Sequence, residues 1–228
     1  FYLGQGYAFV WQNIKSDILM NGNNISNNNE FDQYLNRLSY KFKNENKEFG
    51  GYAVLSDKKI SIAMDIGEPP SSNFSSDYQS GSLSFEIISN GKKLISNCGY
   101  YGGKNEKLVK LSKSTATHST LVIDDNSSCN FKKINKSYLI NDGFKILSKN
   151  IVYEKNYWKI GASHDGYNKK YNLTHERDIE FYPEQFKFVG TDKILIKKSN
   201  LNLKFDIRFH LEPNIKLMKT QDNKTIFI

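Results

Sequence analysis

The sequence predicts a mainly β protein, a large antiparallel β-sandwich with one short N-terminal helix. Three observations favour this class. Strand-like runs recur roughly every 8 to 12 residues between turn residues. Two long stretches, 171–181 and 201–211, alternate with the two-residue period of a strand. The chain has 228 residues with 38% hydrophobic and 14% aromatic content, which is enough for one substantial core.

The two alternating stretches each predict a strand with one core face and one wet face. In the first stretch, His175 and Arg177 lie on the core face, so each must be paired if it is buried. The core-face residues of the two stretches are Tyr171, Leu173, His175, Arg177, Ile179 and Phe181, then Leu201, Leu203, Phe205, Ile207, Phe209 and Leu211. The opposite face of the second stretch carries Lys204, Asp206, Arg208 and His210.

The N-terminal region predicts the one helix. An Asn-rich loop ends near Asn29, a candidate cap, and apolar residues then recur at helical spacing up to Phe42. Residues 1–50 are expected to form a strand and helix region, either the tail of an upstream domain or a lead-in to the sandwich of 51–228. Because the sequence begins at Phe1 and a strand-like run starts at Gly6, we expect it to be a piece of a longer protein.

Further along, residues 52–55 and 60–64 predict a hairpin, and 69–76 predicts a Pro/Ser linker. After the linker nearly everything is predicted to be strand. These strands include 80–86 and 117–124, and Val189-Gly190-Thr191-Asp192 is a hairpin signal.

The formal net charge of +8 would attract a polyanion, such as an acidic glycan, a nucleic acid or a membrane surface. The only arginines are Arg37, Arg177 and Arg208, and no basic block interleaves with aromatics, which disfavours nucleic acid. No apolar run approaches the roughly 18 residues of a membrane span. Cys98 and Cys129 are too few for a disulfide scaffold and are expected to be ordinary thiols.

Three segments carry a family resemblance: Ser80 to Glu86, the turn from Leu94 to Gly99, and the run from Thr117 to Asp124. Together they resemble the C-terminal β domain of the heparinase II/III family of polysaccharide lyases. Blocks at 163–167, 174–177 and 208–213 resemble an alphaproteobacterial branch of that family.

The resemblance implies β-elimination at a uronic-acid residue of an acidic polysaccharide, with a tyrosine and a histidine supplied by an upstream helical toroid. It places Asp77 where the family has a histidine that its β domain adds to the cleft. It places Gln79, Asn97 and His118 where family members can hold a metal. The family-typical compartment is the periplasm, although any export signal would lie upstream of Phe1.

A metal at Gln79, Asn97 and His118 would be zinc or calcium, but two neutral amides are poor zinc ligands, and calcium would also want carboxylates. The sequence therefore favours no metal. The alternative is that His118 donates a hydrogen bond to Asn97 or to a backbone carbonyl and pins two strands together. Asp77 could orient a partner or a substrate hydroxyl, or be a bare linker carboxylate.

Candidate substrate-binding residues are His164, His175, Arg177, Arg208 and His210. An arginine could clamp a glycan carboxylate, or pair internally with a residue such as Asp165 or Asp178. The 164–167 segment predicts a turn in which Gly166 takes a positive φ, and Arg208 and His210 could equally lie on a solvated face. Two functions remain open: the β part of a lyase, or a non-catalytic glycan-binding or structural module that has lost its histidines.

Overall fold

The structure is a computed structural model that describes residues 47–196, 203–213, 215–216, 218–219, 221 and 226–227. The predicted helix near Phe42 and the strand-like run at Gly6 lie outside these residues. The strands are β1 (Glu48–Phe49), β2 (Tyr52–Ser56), β3 (Ile60–Asp65), β4 (Phe85–Ser89), β5 (Lys92–Ser96), β6 (Leu121–Ile123), β7 (Asn130–Ile134), β8 (Ser137–Asp142), β9 (Ile146–Tyr153), β10 (Trp158–His164), β11 (Leu173–Tyr182), β12 (Lys187–Ile196), β13 (Phe205–Ile207), β14 (His210–Leu211), β15 (Met218–Lys219) and β16 (Ile226–Phe227). Within the described ranges, two α-helices, α1 (Glu106–Lys113) and α2 (Asn168–Tyr171), interrupt the strands.

Two antiparallel sheets form the body of the fold. One has the strand order β1-β2-β3-β4-β5-β14, and the other has the order β12-β11-β10-β9. Three two-stranded pairs, β6 with β13, β7 with β8 and β15 with β16, accompany them. The predicted hairpin is confirmed, since β2 and β3 pair from Tyr52 opposite Asp65 to Ser56 opposite Ser61.

The main core lies between the two sheets, which confirms the predicted sandwich. It joins side chains of β2, β3 and β4 to side chains of β10 and β11, so apolar faces of both sheets are buried against each other. Its buried members are Ala53, Leu55, Ile60, Ile62, Met64, Ile66, Leu83, Phe85, Ile87, Trp158, Ile160, Ala162, Ile179 and Phe181.

The alternation predicted for 171–181 is confirmed along β11, where buried and half-buried residues alternate over all ten positions. Tyr171 is also buried but belongs to α2, and Asn172 ends that helix in the left-handed region at φ 56°. The sequence pattern therefore located the core strand correctly but began it two residues too early and ended it one residue too early.

The hairpin predicted at Val189 to Asp192 is wrong. β12 runs unbroken from Lys187 to Ile196 and pairs with β11 over its whole length. The chain reverses earlier, at the 3-10 turn Pro183–Gln185, where Phe186 takes the left-handed conformation at φ 49°. Gly190 is an ordinary strand residue, because a Cβ there would meet Ile179 Cδ1 at a normal 3.5 Å.

The single strand predicted for 201–211 is also wrong, because β13 and β14 pair with different partners. β13 pairs with β6, and β14 pairs with β5 at the edge of the large sheet. Three of its predicted core side chains are not core: Phe205, Ile207 and Phe209 are 55%, 40% and 53% exposed.

Two predicted strand starts and one helix need correction as well. Residues 80–84 form turns, and β4 begins only at Phe85. Residues 115–117 form a 3-10 turn, and β6 begins only at Leu121. Helix α1 was not predicted, although Asn105 caps it by accepting hydrogen bonds from the backbone N–H groups of Lys107 and Leu108. The helix is only eight residues long and has three apolar residues, Leu108, Val109 and Leu111, so its periodicity is too short to stand out in the sequence.

Candidate functional site

Three loop segments meet beside α1, and they carry Gln79, Asn97 and His118. The backbone N–H of Ser80 donates to the carbonyl of Lys113 at 3.0 Å, and that of Cys98 donates to the carbonyl of Thr117 at 3.1 Å. These two bonds join the segments around residues 79, 97 and 118. The residues that the resemblance grouped are therefore neighbours in space.

His118 is a buried, neutral imidazole. Its Nδ1 lies 2.8 Å from the carbonyl oxygen of Ser114, which can only accept, so Nδ1 carries the proton and Nε2 presents a lone pair. The residue is 3% exposed, and burial lowers its pKa to about 4 although the bond to Ser114 opposes this shift. His118 donates to a backbone carbonyl as predicted, but the acceptor, Ser114, lies four residues earlier in the same turn. The bond therefore shapes that turn, and the prediction that it pins two strands together is wrong.

Gly81 supports the His118 ring from one side. A Cβ at position 81 would lie 2.8 Å from His118 Cδ2 and 3.2 Å from Cγ, closer than side chains tolerate. Because the ring is part of a packed turn and cannot swing away freely, the sequence needs glycine here for close approach. Two residues later, Leu83 adopts the left-handed region at φ 56° while fully buried, a conformation that is uncommon for a leucine.

The side-chain amide of Gln79 faces the imidazole ring of His118. Its Oε1 lies 3.5 Å from His118 Nε2, so two acceptors face each other, while its Nε2 finds no hydrogen-bond partner among the described residues. Turning the amide by 180° resolves both, because the NH2 group then donates to the imidazole lone pair. Gln79 is 1% exposed, so this pair is sealed from solvent.

Asn97 is held by three hydrogen bonds. Its side-chain Oδ1 accepts from the N–H of Ser119 at 2.8 Å, and its Nδ2 and backbone N–H donate to Glu86 Oε1 at 3.2 and 3.1 Å. Burial raises the pKa of Glu86, although Lys93, 3.3 Å from its other oxygen, acts against this. Asn97 thus connects β4 to the turn that follows His118.

These side chains do not fit the metal that the family resemblance implies. The Asn97 oxygen is already bonded to a backbone N–H, and Gln79 contributes a neutral amide next to a single imidazole. Zinc requires more imidazole, thiolate or carboxylate ligands, and calcium requires carboxylates. Within the part of the chain that the structure describes, no three His, Cys, Asp or Glu residues are placed to hold a metal ion.

Asp77 lies on the exposed segment 76–77, just outside this buried cluster. The hydroxyl of Tyr100 is hydrogen-bonded to its carboxylate; burial and this carboxylate raise the pKa of Tyr100. Lys113, 3% exposed, donates to the carbonyls of Ser76 at 2.6 Å and Tyr78 at 2.8 Å. Burial lowers the pKa of Lys113 to about 8, while the charge of Asp77 acts the other way. Neither Tyr100 nor Lys113 was singled out from the sequence.

His164, His175 and Arg177 belong to a buried chain of hydrogen bonds that ends on Asp192. His164 Nε2 lies 3.2 Å from His175 Nδ1, and His175 Nε2 lies 2.6 Å from Asp192 Oδ1. Because Gly166 N–H donates to His164 Nδ1 at 3.1 Å, one tautomer satisfies every step: Nε2–H on both imidazoles. Burial lowers the pKa of both histidines.

Arg177 is fully buried and pairs with Asp192, so the internal partner is neither Asp165 nor Asp178. Its NH1 also donates to the carbonyls of Leu83 at 3.0 Å and Ser119 at 2.7 Å. Burial opposes ionisation of Asp192, but hydrogen bonds from His175 and Arg177 outweigh it and hold the pKa of Asp192 below its ordinary value. Arg177 therefore supports the His118 turn through its bond to the Ser119 carbonyl, and His175 helps to hold Asp192 in place. Both side chains are fully buried, so neither can contact a glycan carboxylate.

The prediction that Gly166 takes a positive φ is wrong. The turn runs into α2 with a bond from Asn168 N–H to the Asp165 carbonyl at 2.8 Å, and Gly166 is not among the residues with positive φ. Glycine is needed there for space, because a Cβ would lie 2.8 Å from the carbonyl oxygen of Ser128.

Arg208 and His210 both reach the loop that carries His118. Arg208 NH1 donates to the carbonyl of Ala116 at 3.3 Å, and His210 Nε2 donates to the same oxygen at 3.1 Å. Both side chains are half-buried, so a freely solvated face is not what the structure shows. Their proposed contact with substrate stays a prediction.

The family described as heparinase II/III-like, C-terminal, matches residues 46–228, a span that contains all the site residues above. This chain belongs to the heparinase II/III-like family. No curated protein sequence matches the chain.

Three solved structures, described as a heparan sulfate lyase or as heparinase III, share the fold of this heparinase-like domain. The heparan sulfate lyase HepC from Pedobacter heparinus gives a TM-score of 0.58 at 18% identity over 77% of this chain and 25% of its own. The BT4657 gene product, a heparinase III, gives 0.60 at 18% over 87% and 29%. A crystal structure of heparinase III gives a TM-score of 0.55 at 20% identity over 77% of this chain and 26% of its own. This chain thus spans about a quarter of the length of the structures it matches.

None of the helices among the described residues could span a lipid bilayer.

Proposed function

We propose that this chain is the C-terminal β-sandwich part of a polysaccharide lyase that cleaves an acidic, uronate-containing glycan by β-elimination. The observation that carries the proposal is the family match over 46–228, which includes the three loop segments that meet at His118. The net charge of +8 supports an anionic polymer as the substrate.

The reaction needs three groups. A base removes the proton next to the uronate carboxylate, a hydrogen-bonding or cationic group stabilises the negative charge that develops on that carboxylate, and an acid protonates the departing glycosidic oxygen. Among the described residues, His118 is neutral, but its Nε2 lone pair accepts from the side-chain amide of Gln79 and is sealed from solvent. His118 therefore acts in this proposal by shaping its turn.

The base and the acid are accordingly proposed to come from an upstream helical toroid of the same protein. The role left to this domain is to close the cleft and to contact the glycan from the surface around Asp77. Asp77 and Tyr100 can accept and donate hydrogen bonds there, and Lys113 fixes the backbone on both sides of Asp77.

A second candidate function is a non-catalytic glycan-binding or structural module. It is favoured by one specific observation: the positions where the resemblance places histidines hold an exposed carboxylate, Asp77, and a buried amide, Gln79. A module of this kind would bind glycan without turning it over.

The test is an elimination assay with the full-length gene product on a panel of uronate polymers that includes heparan sulfate, heparosan and alginate. Elimination creates an unsaturated uronate, whose ultraviolet absorbance rises as the reaction proceeds. A rise that is abolished by deleting the upstream region supports the lyase. No rise on any polymer, together with retained glycan binding by this chain, supports the binding module.

A further inference from the structure

The hydrogen-bonded chain of His164, His175 and Asp192 is fixed in polarity at both ends. At one end the backbone N–H of Gly166, which can only donate, points at Nδ1 of His164 at 3.1 Å. At the other end the carboxylate of Asp192, which can only accept, lies 2.6 Å from Nε2 of His175. Each imidazole therefore carries its proton on Nε2, and the 3.2 Å bond between the rings runs from His164 Nε2 to His175 Nδ1. Every ring nitrogen is in use, so the neutral chain has no free position for another proton.

The charged groups that face these two rings come from β11 and β12. Burial lowers the pKa of both histidines, and the positive charge of Arg177 acts in the same direction. Asp192 opposes this at His175 through its hydrogen bond and its charge, and Glu176 opposes it more weakly. A proton that enters the chain is therefore most stable on His175, next to the Asp192 carboxylate.

His164 has neutral aromatic neighbours instead. Its ring centroid lies 5.1 Å from that of Phe144 and 5.7 Å from that of Tyr167. The carboxylate of the next residue, Asp165, accepts from the backbone N–H of Lys145 at 2.7 Å and is engaged there. His164 can thus pass a proton on, whereas a positive charge resting on its own ring would lack the counter-ion that His175 has.

We propose that this chain is a proton-operated switch, in which one proton taken up changes the tautomer of His164 and releases the turn at Gly166. The incoming proton binds Nδ1 of His164, and the proton on Nε2 of His164 passes to Nδ1 of His175. His175 becomes an imidazolium and keeps its bond to Asp192. Nδ1–H of His164 then faces the N–H of Gly166 as a second donor, so the bond that held the turn is lost.

The turn lies directly against the ring that changes. A Cβ at Gly166 would be 2.9 Å from Nδ1 of His164 and 2.8 Å from the carbonyl oxygen of Ser128, so the backbone is wedged between them. The next residue, Tyr167, donates through its hydroxyl to the carbonyl of Leu121 at 3.0 Å. Leu121 begins β6, the strand that follows the His118 turn, so release at Gly166 is passed on towards the candidate site.

The experiment follows the ring nitrogens of the four histidines by NMR in the full 228-residue chain, from about pH 7.5 down to about pH 4. We expect His164 to change from Nε2–H to Nδ1–H in the same step in which His175 becomes an imidazolium. Hydrogen exchange is measured alongside, as protection relative to the unfolded chain. Protection of the Gly166 amide should fall by about tenfold in that step, as the loss of one hydrogen bond implies, while the amides of β11 stay protected.

Two variants test the assignment. His175→Gln removes the ring that stores the proton, so His164 should keep its proton on Nε2 and Gly166 its protection over the same range. The matched control is His210→Gln, because His210 is half-buried and binds the Ala116 carbonyl outside the chain. It should titrate as the unchanged protein does. Circular dichroism at neutral pH checks that both variants fold, and the tautomer change in the unchanged protein decides the matter without them.

Three results would overturn the inference. His164 could keep its proton on Nε2 until the domain unfolds, or the added charge could reside on His164 itself. Exchange at Gly166 could also rise equally in His175→Gln, or only together with the amides of β11, which would assign the change to global unfolding.

Discussion

Arg177 and Asp192 face each other across β11 and β12 as register partners, and they bind through two hydrogen bonds. Nε of Arg177 donates to Oδ1 of Asp192 at 2.8 Å, and NH2 donates to Oδ2 at 3.0 Å. The third nitrogen, NH1, reaches two backbone carbonyls, one of them that of Ser119 next to His118. One ion pair thus ties the four-stranded sheet to the candidate site.

Replacing Asp192 by Asn should therefore destabilise the whole domain. The change leaves the Arg177 charge buried without its counter-ion and weakens the bond to His175, and removing one partner of a buried pair costs about 3–5 kcal/mol. Urea unfolding measures the loss. The matched control is Lys193→Gln, which removes an exposed lysine from a surface ion pair with the half-buried Glu176, and which should leave the midpoint unchanged. Equal effects of the two changes would contradict the role assigned to the buried pair.

Gly81→Ala should disturb the His118 turn directly. The new Cβ would lie 2.8 Å from the ring of His118, and forcing a methyl group into a packed site costs about 1–3 kcal/mol. The control is Gly190→Ala in β12, where the Cβ has ordinary contact distance and the change should be neutral or slightly stabilising. Thermal unfolding compares the two. A neutral Gly81→Ala would show that the ring has room to move.

Asp65→Asn should change how stability depends on pH. Asp65 is buried at the end of β3, and burial raises its pKa from 3.8 to about 7, although its bond from the N–H of Gly67 at 3.0 Å and the charge of Lys149 oppose this. The folded state therefore holds a proton that the unfolded state releases, so this group lowers stability as pH rises from about 4 to 7. The full effect is on the order of 4 kcal/mol above pH 7.

The substitution removes that contribution, so we expect the variant to gain stability relative to the unchanged protein as pH rises through this window, and to keep the gain above it. Unfolding in urea at several pH values measures the difference. His118 acts in the opposite direction, because its pKa is lowered to about 4 in the folded state. In both proteins, its contribution to the free energy of unfolding is therefore lost as pH falls from 6.5 towards 4. Parallel pH curves for the two proteins would rule out a proton held on Asp65.

Removing metal should leave the domain intact. His118 bonds to the carbonyl of Ser114 and Asn97 accepts from the N–H of Ser119, so both side chains have protein partners without a cation. Dialysis against a chelator should therefore not shift the melting temperature. Elemental analysis should find no stoichiometric zinc or calcium. A melting temperature that falls with the chelator and recovers on adding zinc would contradict the hydrogen-bonded arrangement.

The sequence alone determined the architecture and the neighbourhood of the site. Alternation along 171–181 identified a core strand, because the two-residue period is a local property of an extended chain. The segments around Gln79, Asn97 and His118 were grouped correctly through their family resemblance, and the structure brings them together beside α1.

The tertiary structure decided which side chains pair. Nothing local distinguishes Asp192 from Asp165 or Asp178 as the partner of Arg177; only the register of β11 against β12 places it opposite. The contacts of Tyr100 and Lys113 around Asp77 were also not predictable from the sequence. Tyr100 lies in a loop and Lys113 in a helix, and no sequence periodicity indicated either. Burial and pairing depend on residues that are distant in sequence. Only the folded chain therefore shows that His175 and Arg177, which the sequence offered as substrate-binding candidates, are buried internal supports.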